Sequence, residues 1–242
     1  MKRALLVIEV QNEHVSGTEV VTYPSLLVSM PNIAMAMDIA ASNELVTVEV
    51  VRVADADAAS FAKGSEGAAL HALIADNHCD MRIESPLSGS FHTNQLASWL
   101  KEQNVTTVTV VGYTADDAVC GTVERASAAG FEVEVLVDAT GSRVSPDGSE
   151  SDRAVFGRAV EALKGPEGVT ISTTSAWDDA ITSGKPLAAS RIRDQSEDER
   201  PSRLRSEFYK IESWARAEAD TIDADAEAYQ IQHTFVTGAQ PL

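Results

Sequence analysis

The chain has 242 residues, 44% hydrophobic and 23% charged, which is the composition of an ordinary globular protein. A formal net charge of −18 leaves no basic surface to neutralise phosphates, so the sequence argues against a nucleic-acid-binding protein. Cys79 and Cys120 are too few for a disulfide framework and favour a reducing, cytoplasmic location. Glu9 interrupts the apolar run at 4–10, as in a strand rather than a signal peptide, and no stretch is long enough to span a membrane.

Strand-like and helix-like segments alternate in the first half of the chain. The apolar patterns predict strands at 4–10, 45–53 and 81–84, and helices at 31–42, 68–75 and 93–103. Pro31 is expected in the first turn of its helix, where its missing N–H costs nothing, and Thr93 is expected to cap the third helix. Residues 85–91, SPLSGSF, are predicted to form a loop of small residues.

The alternation continues in the second half. We predict strands at 105–111, 132–137 and 169–173, a loop at 138–148, and helices after the turn at 112–117 and at 150–163 and 175–181. About six strands alternating with helices predict an α/β domain over residues 1–185. Its architecture is a three-layer, doubly wound parallel sheet.

Residues 186–242 differ from this domain. A polar linker at 186–200 precedes a predicted amphipathic helix at 201–220, in which Leu204, Phe208 and Ile211 recur at helical spacing. Such a helix must bury its apolar stripe on its own domain or on a second subunit. We therefore expect a homo-oligomer, with this C-terminal arm at the interface.

The segment at 108–130, VTVVGYTADDAVCGTVERASAAG, combines a hydrophobic strand, a sharp turn and a helix of small residues. In α/β proteins such a turn displays a nucleophile, because the helix N-terminus places N–H groups and a positive dipole beneath the reacting atom. The residue at the helix start is Ala118, whose methyl side chain cannot act as a nucleophile.

Several segments together carry a resemblance to a known family. ALLVIEVQNE resembles an opening strand ALLVID-x-Q-N, SGSFHTNQLASWL resembles S-A-F-x-x-T-x-L-x-x-L, and VVGYTADDAVCGT resembles G-x-x-T-x-x-C-V-x-x-T. These motifs are similar to those of the isochorismatase-like cysteine hydrolase family, from Ala4 to about Ile181. The resemblance implies the same α/β fold.

The resemblance also implies three catalytic positions. The family uses an aspartate as general base, a lysine that orients its neighbours, and a cysteine that attacks a carbonyl. The matching residues are Glu9, Ser85 and Ala118. Glu9 keeps a carboxylate, Ser85 lacks the cation and Ala118 lacks the nucleophile. Cys120 does not replace it, since two residues along a helix turn a side chain by about 200°.

Other side chains near these positions are candidates for a binding pocket. We expect the pocket to include Gln11, Phe91, His92, Tyr113, Thr114, Asp116 and Asp117. Asp116 and Asp117 are also explained as helix N-terminal residues favoured by the dipole, and His92 as an exposed loop residue. Ser85, Ser88 and Ser90 would need a base that the sequence does not place nearby.

We expect neither a metal nor another cofactor. Asp55 and Asp57 with His71 have a spacing similar to a metal site, but they lack the D-x-H pattern that the resemblance associates with one. No membrane partner is expected either, and a small molecule of unknown identity is the expected ligand.

Two functions stay open. In the first, the chain is a non-hydrolytic pseudoenzyme that binds a small molecule or a protein. In the second, Glu9 acts as an acid in cysteine-independent cleavage of a vinyl ether or an amide. A polar pocket around Glu9, Ser85 and Ala118 would favour the enzyme, and filling of that pocket, for example by Tyr113, would favour the pseudoenzyme.

Overall fold

The computed structural model describes residues 1–92, 94–145 and 147–190. Its strands are β1 (Arg3–Ile8), β2 (Val46–Arg52), β3 (Met81–Ser85), β4 (Thr107–Tyr113), β5 (Glu132–Gly141) and β6 (Val169–Ser172). Its helices are α1 (Leu26–Ser42), α2 (Ala72–Ala75), α3 (Asn94–Glu102), α4 (Cys120–Ala128), α5 (Asp152–Ala162) and α6 (Thr174–Ser183). A 3₁₀ turn at Asn12–His14 follows β1, and a π-helical turn at Ala115–Val119 precedes α4.

All six strands form one parallel sheet in the order β3-β2-β1-β4-β5-β6. Most buried residues of β1 and β4 are apolar, on both faces of the sheet, because helices cover both sides. Helices α3, α4 and α5 pack on one face, and α1 and α6 pack on the other. This confirms the predicted three-layer, doubly wound α/β fold.

The strand order reverses between β1 and β4, which are neighbours although β2 and β3 lie between them in sequence. In doubly wound sheets the crevice beyond the carboxyl ends of the strands at such a reversal is where ligands bind. The segments that follow β1 and β4 therefore border the expected site.

Helix α1 begins earlier than predicted. Ser25 is its N-cap, with Oγ accepting from the Leu27 N–H at 3.3 Å, so Pro31 lies inside the helix and not in its first turn. The placement of Pro31 was wrong because the serine cap decided the start. The segment predicted as α2 is also shorter, because His71 caps a single turn at Ala72–Ala75.

Strand β5 is longer than predicted. The loop expected at 138–148 begins only after Gly141, because the chain shifts register and pairs Thr140 and Gly141 with Gly112 and Tyr113. Asp138 thus lies within the strand. Its carboxylate accepts from the N–H and hydroxyl of Thr174 and fixes the start of α6.

The chain continues along the sheet after α6. The N–H of Ser190 donates to the carbonyl of Ile171, and Ser172 Oγ donates to the carbonyl of Ala188. The beginning of the predicted linker therefore lies against β6. The predicted C-terminal helix at 201–220 and the cap at Thr93 lie outside the described residues. Within the described part of the chain, no helix has the length and apolarity to cross a membrane.

Candidate functional site

Glu9 directly follows β1 at the reversal point of the sheet. Its backbone has φ of 50°, in the left-handed region, and its N–H donates to the carbonyl of Val50. The side chain is only 1% exposed. Its Oε1 accepts from the Gly89 N–H at 2.5 Å, and its Oε2 lies 3.9 Å from Nε2 of His14. The carboxylate is thus buried and already engaged.

Ala118 lies in the π-helical turn after β4 and is 1% exposed. The turn is closed by the Val119 N–H, which donates to the carbonyl of Thr114 at 3.0 Å, and the peptide between Tyr113 and Thr114 is cis. A Cβ placed on Gly89 would stand 2.8 Å from the Ala118 carbonyl oxygen. The Gly89 backbone therefore packs against the backbone of Ala118.

The loop at residues 86–91, hereafter the 86–91 loop, is held on the domain by further contacts. The Ser90 N–H and hydroxyl both donate to Thr122 Oγ1, at 3.0 and 3.2 Å. The Phe91 ring lies 5.9 Å from that of Phe131, centre to centre. Together with the Gly89 bond to Glu9, these contacts hold the loop against Glu9 and the backbone of Ala118.

The other side of the loop borders a cavity of about 390 Å³. Glu9 and Ala118 do not line it, whereas Ser85 does. The lining residues come from β3, the loop and the start of α3: Met81, Arg82, Ile83, Glu84, Ser85, Gly89, Ser90, Phe91, His92, Gln95 and Leu96. The three family positions are thus divided, two beneath the loop and one in the cavity wall.

The polar groups of the cavity wall have defined donors and acceptors. Ser85 Oγ accepts from the Leu87 N–H at 3.0 Å, which leaves its hydroxyl hydrogen available. His92 Nε2 donates to the carbonyl of Ser88 at 2.6 Å, since a carbonyl only accepts. His92 thus contacts the Ser88 backbone and not its hydroxyl, and the arrangement does not form a serine–histidine nucleophile.

Two predicted pocket residues have structural partners elsewhere. The Gln11 amide is fully buried, donates to the carbonyls of Arg52 and Ala68, and accepts from the Arg52 N–H. The Tyr113 hydroxyl is bonded to Ser29 of α1 at 2.8 Å, and burial raises its pKa well above the usual range. The Tyr113 hydroxyl is therefore engaged with α1, and Tyr113 does not line the cavity.

The remaining predicted residues are placed around the turn. Thr114 is 6% exposed, and its carbonyl accepts from Asp117 and Val119. The side chains of Asp116 and Asp117 are exposed, in agreement with their interpretation as residues at the N-terminal end of a helix. Neither lines the cavity.

Cys120 is the first residue of α4 and is half-buried. Its Sγ points toward the carbonyl of Ala159, 3.8 Å away in α5, as the rotation along the helix predicts. Burial, followed by the nearby carboxylates of Glu124, Asp116 and Asp117, raises its pKa to about 11. The thiol is therefore protonated at neutral pH, the form that is a poor nucleophile.

The sequence interpretation missed His14, Gly89 and Thr122 as residues of this site. His14 follows Glu9 by five positions, and the 3₁₀ turn brings the two side chains together. No hydrophobic pattern in the sequence predicts this turn. Gly89 has φ of 78°, so a glycine within the small-residue loop was the available signal.

The residues with a metal-like spacing do not form a cluster. His71 Nδ1 accepts from the Leu73 N–H, and burial lowers the pKa of this ring. Among the described residues, no group of three or more histidine, cysteine, aspartate or glutamate side chains is arranged to hold a metal. The expectation of a metal-free protein stays a prediction.

Comparison with known proteins identifies the family of this chain. The family model of the Isochorismatase domain matches residues 3–174. A crystal structure of a protein assigned as an isochorismatase, from Burkholderia xenovorans LB400, is 33% identical with a TM-score of 0.73 and covers 90% of this chain and 98% of its own. This chain belongs to the isochorismatase family.

More distant structures share the fold. A cysteine hydrolase from Pseudomonas syringae pv. phaseolicola 1448A is 17% identical (TM-score 0.66) and covers 75% of this chain and 93% of its own. N-carbamoylsarcosine amidase from Thermoplasma acidophilum is 23% identical (TM-score 0.53), with coverages of 72% and 97%. The comparison with curated proteins found no match.

Proposed function

We propose that this protein is a non-hydrolytic member of the isochorismatase family that binds a small molecule. The proposal rests on the residues that stand at the three positions where the family has its catalytic side chains. Ala118 offers a methyl group, Ser85 offers no cation, and Glu9 is occupied by the Gly89 N–H. A covalent mechanism at Ala118 has no attacking atom, and the protonated thiol of Cys120 points away.

The cavity between β3 and α3 is the proposed ligand site. Met81, Ile83, Phe91 and Leu96 give it apolar walls, and Ser85 and His92 bring hydrogen-bonding groups. Its volume of about 390 Å³ suits a small amphipathic molecule. Such a ligand would contact the outer side of the 86–91 loop without reaching Glu9.

The alternative, acid catalysis by Glu9, requires a substrate to reach the carboxyl group. At 1% exposure and with Gly89 against Oε1, the carboxyl group is covered. A vinyl ether or amide would have to displace the 86–91 loop first. The non-hydrolytic function requires no such displacement.

We also propose a cytoplasmic homo-oligomer. The support is the pair of unbridged cysteines, Cys79 and Cys120, which suits a reducing compartment, and the apolar stripe predicted at 201–220. Light scattering of the full chain and of a chain ending at residue 190 tests the oligomer: the full chain is expected to be larger than a monomer. A monomeric full chain would contradict it.

The function is tested by a turnover assay on primary amides and on isochorismate, read out as ammonia release and by mass spectrometry. The expected result is no product above the level with Glu9→Ala, which serves as the matched control. Product formed by the natural sequence and lost in Glu9→Ala would refute the non-hydrolytic proposal and support acid catalysis.

A further inference from the structure

The cavity of the proposed ligand site lies along an open edge of the sheet. Strand β3 is the first strand in the sheet order, and among the described residues it pairs with β2 alone. Every residue of β3, Met81–Ser85, lines the cavity. Because successive side chains of a strand point to opposite faces of the sheet, a cavity that all of them line runs beside the strand and not over one face. The main chain of β3 therefore forms one wall of the cavity.

A hydrogen bond at the end of β3 shows which of its main-chain groups face the cavity. The Ser85 carbonyl accepts from the N–H of Val53, the residue directly after β2, at 2.9 Å. The main-chain groups of successive strand residues alternate in direction, so those of Ile83 also face β2. Those of Arg82 and Glu84 face the open edge.

The bonds of β2 on its other side give the same alternation. The Val50 carbonyl accepts from the Glu9 N–H at 2.8 Å, and the main chain of Arg52 bonds to the Gln11 side chain. Val50 and Arg52 therefore face β1. The residues of β2 that alternate with them are left to bond to β3, in agreement with the bond from Val53.

The N–H and C=O groups of Arg82 and Glu84 have no hydrogen-bond partner among the described residues. They present two donors and two acceptors in one line along the cavity wall. A ligand that displaces water from these groups without bonding to them leaves them unpaired, which is costly. The wall therefore favours a ligand that has its own N–H and C=O groups.

Glu84 adds an uncompensated charge to this wall. The Arg82 guanidinium donates to the buried carboxylate of Glu49, from Nη2 at 2.7 Å and from Nε at 2.8 Å, so its charge is balanced. Glu84 is exposed, and within the described part of the chain it forms no ion pair. The cavity thus complements a positively charged group.

We propose that the ligand is a peptide-like molecule with a secondary amide and a basic group, and that it adds to the edge of β3 as a short extra strand. In a parallel arrangement, one ligand residue donates its N–H to the Arg82 carbonyl and accepts from the Glu84 N–H. Phe91 and Leu96 cover its apolar part. This inference rests on the proposed function, which assigns the cavity as the ligand site.

A second copy of this chain is the other occupant that an open strand edge invites. The 86–91 loop and the start of α3 form the opposite wall of the cavity. A volume of about 390 Å³ between these walls suits a small molecule, whereas a second copy would bring its own sheet and helices with its strand. The geometry therefore favours the small ligand.

The proposal is tested by NMR titration of the full-length protein with N-acetyl-lysine N-methylamide. The backbone amide signals of Arg82 and Glu84 are expected to shift. Replacing the lysine N–H of the probe by N–CH₃ is expected to weaken binding about tenfold, because the Arg82 carbonyl loses its donor. Replacing lysine by norleucine is expected to weaken binding about threefold, because the probe loses its charge. Equal affinity of the three probes would overturn the proposal.

Glu84→Pro tests the main-chain pairing from the side of the protein. Proline is tolerated on an edge strand where the N–H that it removes does not bond to the neighbouring strand. Glu84→Gln is the matched control, because it removes the charge and keeps the N–H. The proline variant is expected to bind the lysine probe about tenfold more weakly than the glutamine variant. Equal binding would contradict the pairing, and the probe series tests it without any variant if Glu84→Pro does not fold.

Failure of this inference is distinguishable from failure of the proposed function. A protein that retains a metabolite, loses it in Ile83→Arg and binds none of the three probes would refute the amide-and-base ligand while ligand binding stands. Release of acetate or methylamine from the lysine probe would refute the non-hydrolytic function. A dimer in light scattering that is lost in Glu84→Pro would assign the edge to a second copy and overturn the inference.

Discussion

Gly89 packs so closely on Ala118 that a side chain at residue 89 would collide with the Ala118 carbonyl, with 2.8 Å between the added Cβ and the oxygen. This contact fixes the backbone of the 86–91 loop against the turn that precedes α4, and the same residue donates its N–H to the buried carboxylate of Glu9.

Gly89→Ala is predicted to destabilise the protein by about 2–4 kcal/mol, because it combines a positive φ with a backbone clash. Gly64→Ala is the matched control, since Gly64 has φ of 82° but no atom within 4 Å of the added Cβ. The control is expected to cost about 1 kcal/mol. Urea denaturation measures both, and equal costs would show that the loop does not pack on Ala118.

Restoring the family residues tests whether the site descends from a hydrolase. The triple variant Glu9→Asp, Ser85→Lys and Ala118→Cys is predicted to gain weak but measurable amidase activity, because it regains base, cation and thiolate together while the 86–91 loop still covers residue 9. Ala118→Cys alone is predicted to stay inactive, since Ser85 provides no positive charge. Ammonia release measures both, and activity in the single variant would contradict the role given to residue 85.

Burial raises the pKa of Asp138 from 3.8 to about 6, although the bonds from Thr174 oppose the shift. The folded chain therefore binds this proton more tightly than the unfolded chain, and stability contributed by the site is lost as pH rises from about 4 to 6. The effect amounts to at most about 3 kcal/mol.

Asp138→Asn is predicted to remove this pH dependence while keeping an acceptor for Thr174. Urea denaturation at pH 4, 5 and 7 measures the difference between the variant and the natural sequence. The exposed Asp116→Asn is the control and is expected to leave the dependence intact. A difference between Asp138→Asn and the natural protein that is constant with pH would contradict the shift.

Arg3 and Glu134 form a buried ion pair on the face of the sheet opposite the main apolar cluster. Glu134 accepts from Arg3 Nε and Nη2 at 2.9–3.0 Å and also from Thr109 and Trp177. Arg3→Met is predicted to cost about 3–5 kcal/mol, because it leaves a buried carboxylate without its cation.

Arg158→Met is the matched control for this pair. Arg158 is largely exposed and bonded to Glu150, so its loss is predicted to change the stability very little. Denaturation curves of the two variants give the comparison. A similarly small cost for Arg3→Met would contradict the stabilising role given to the buried pair.

The fold was predictable because its signals are local and repeated. The apolar runs of β1 and β4 and the helix after Ala118 are visible as patterns, and the family motifs fixed their order. Pro31 and the end of β5 were misplaced because a serine cap at residue 25 and a register shift near Gly112 decided them. Neither leaves a hydrophobic pattern.

The site was only partly predictable. The positions of Glu9 and Ala118 followed from the motifs, but their contacts depend on the conformation of a glycine-containing loop and on a short turn that brings His14 back to Glu9. Gln11 is close to Glu9 in sequence and Tyr113 is close to Ala118, but the side chain of Gln11 bonds to Arg52 and that of Tyr113 bonds to Ser29. Sequence neighbours of a strand end do not all face the crevice.

The central claim, binding without hydrolysis, is tested most directly by mass spectrometry of a metabolite extract incubated with stoichiometric protein. The result predicted is retention of an unchanged small molecule, lost in Ile83→Arg, which places a charge in the cavity wall while leaving Glu9 and Ala118 untouched. Conversion of a metabolite into a product, persisting in Ile83→Arg and abolished by Glu9→Ala, would contradict it.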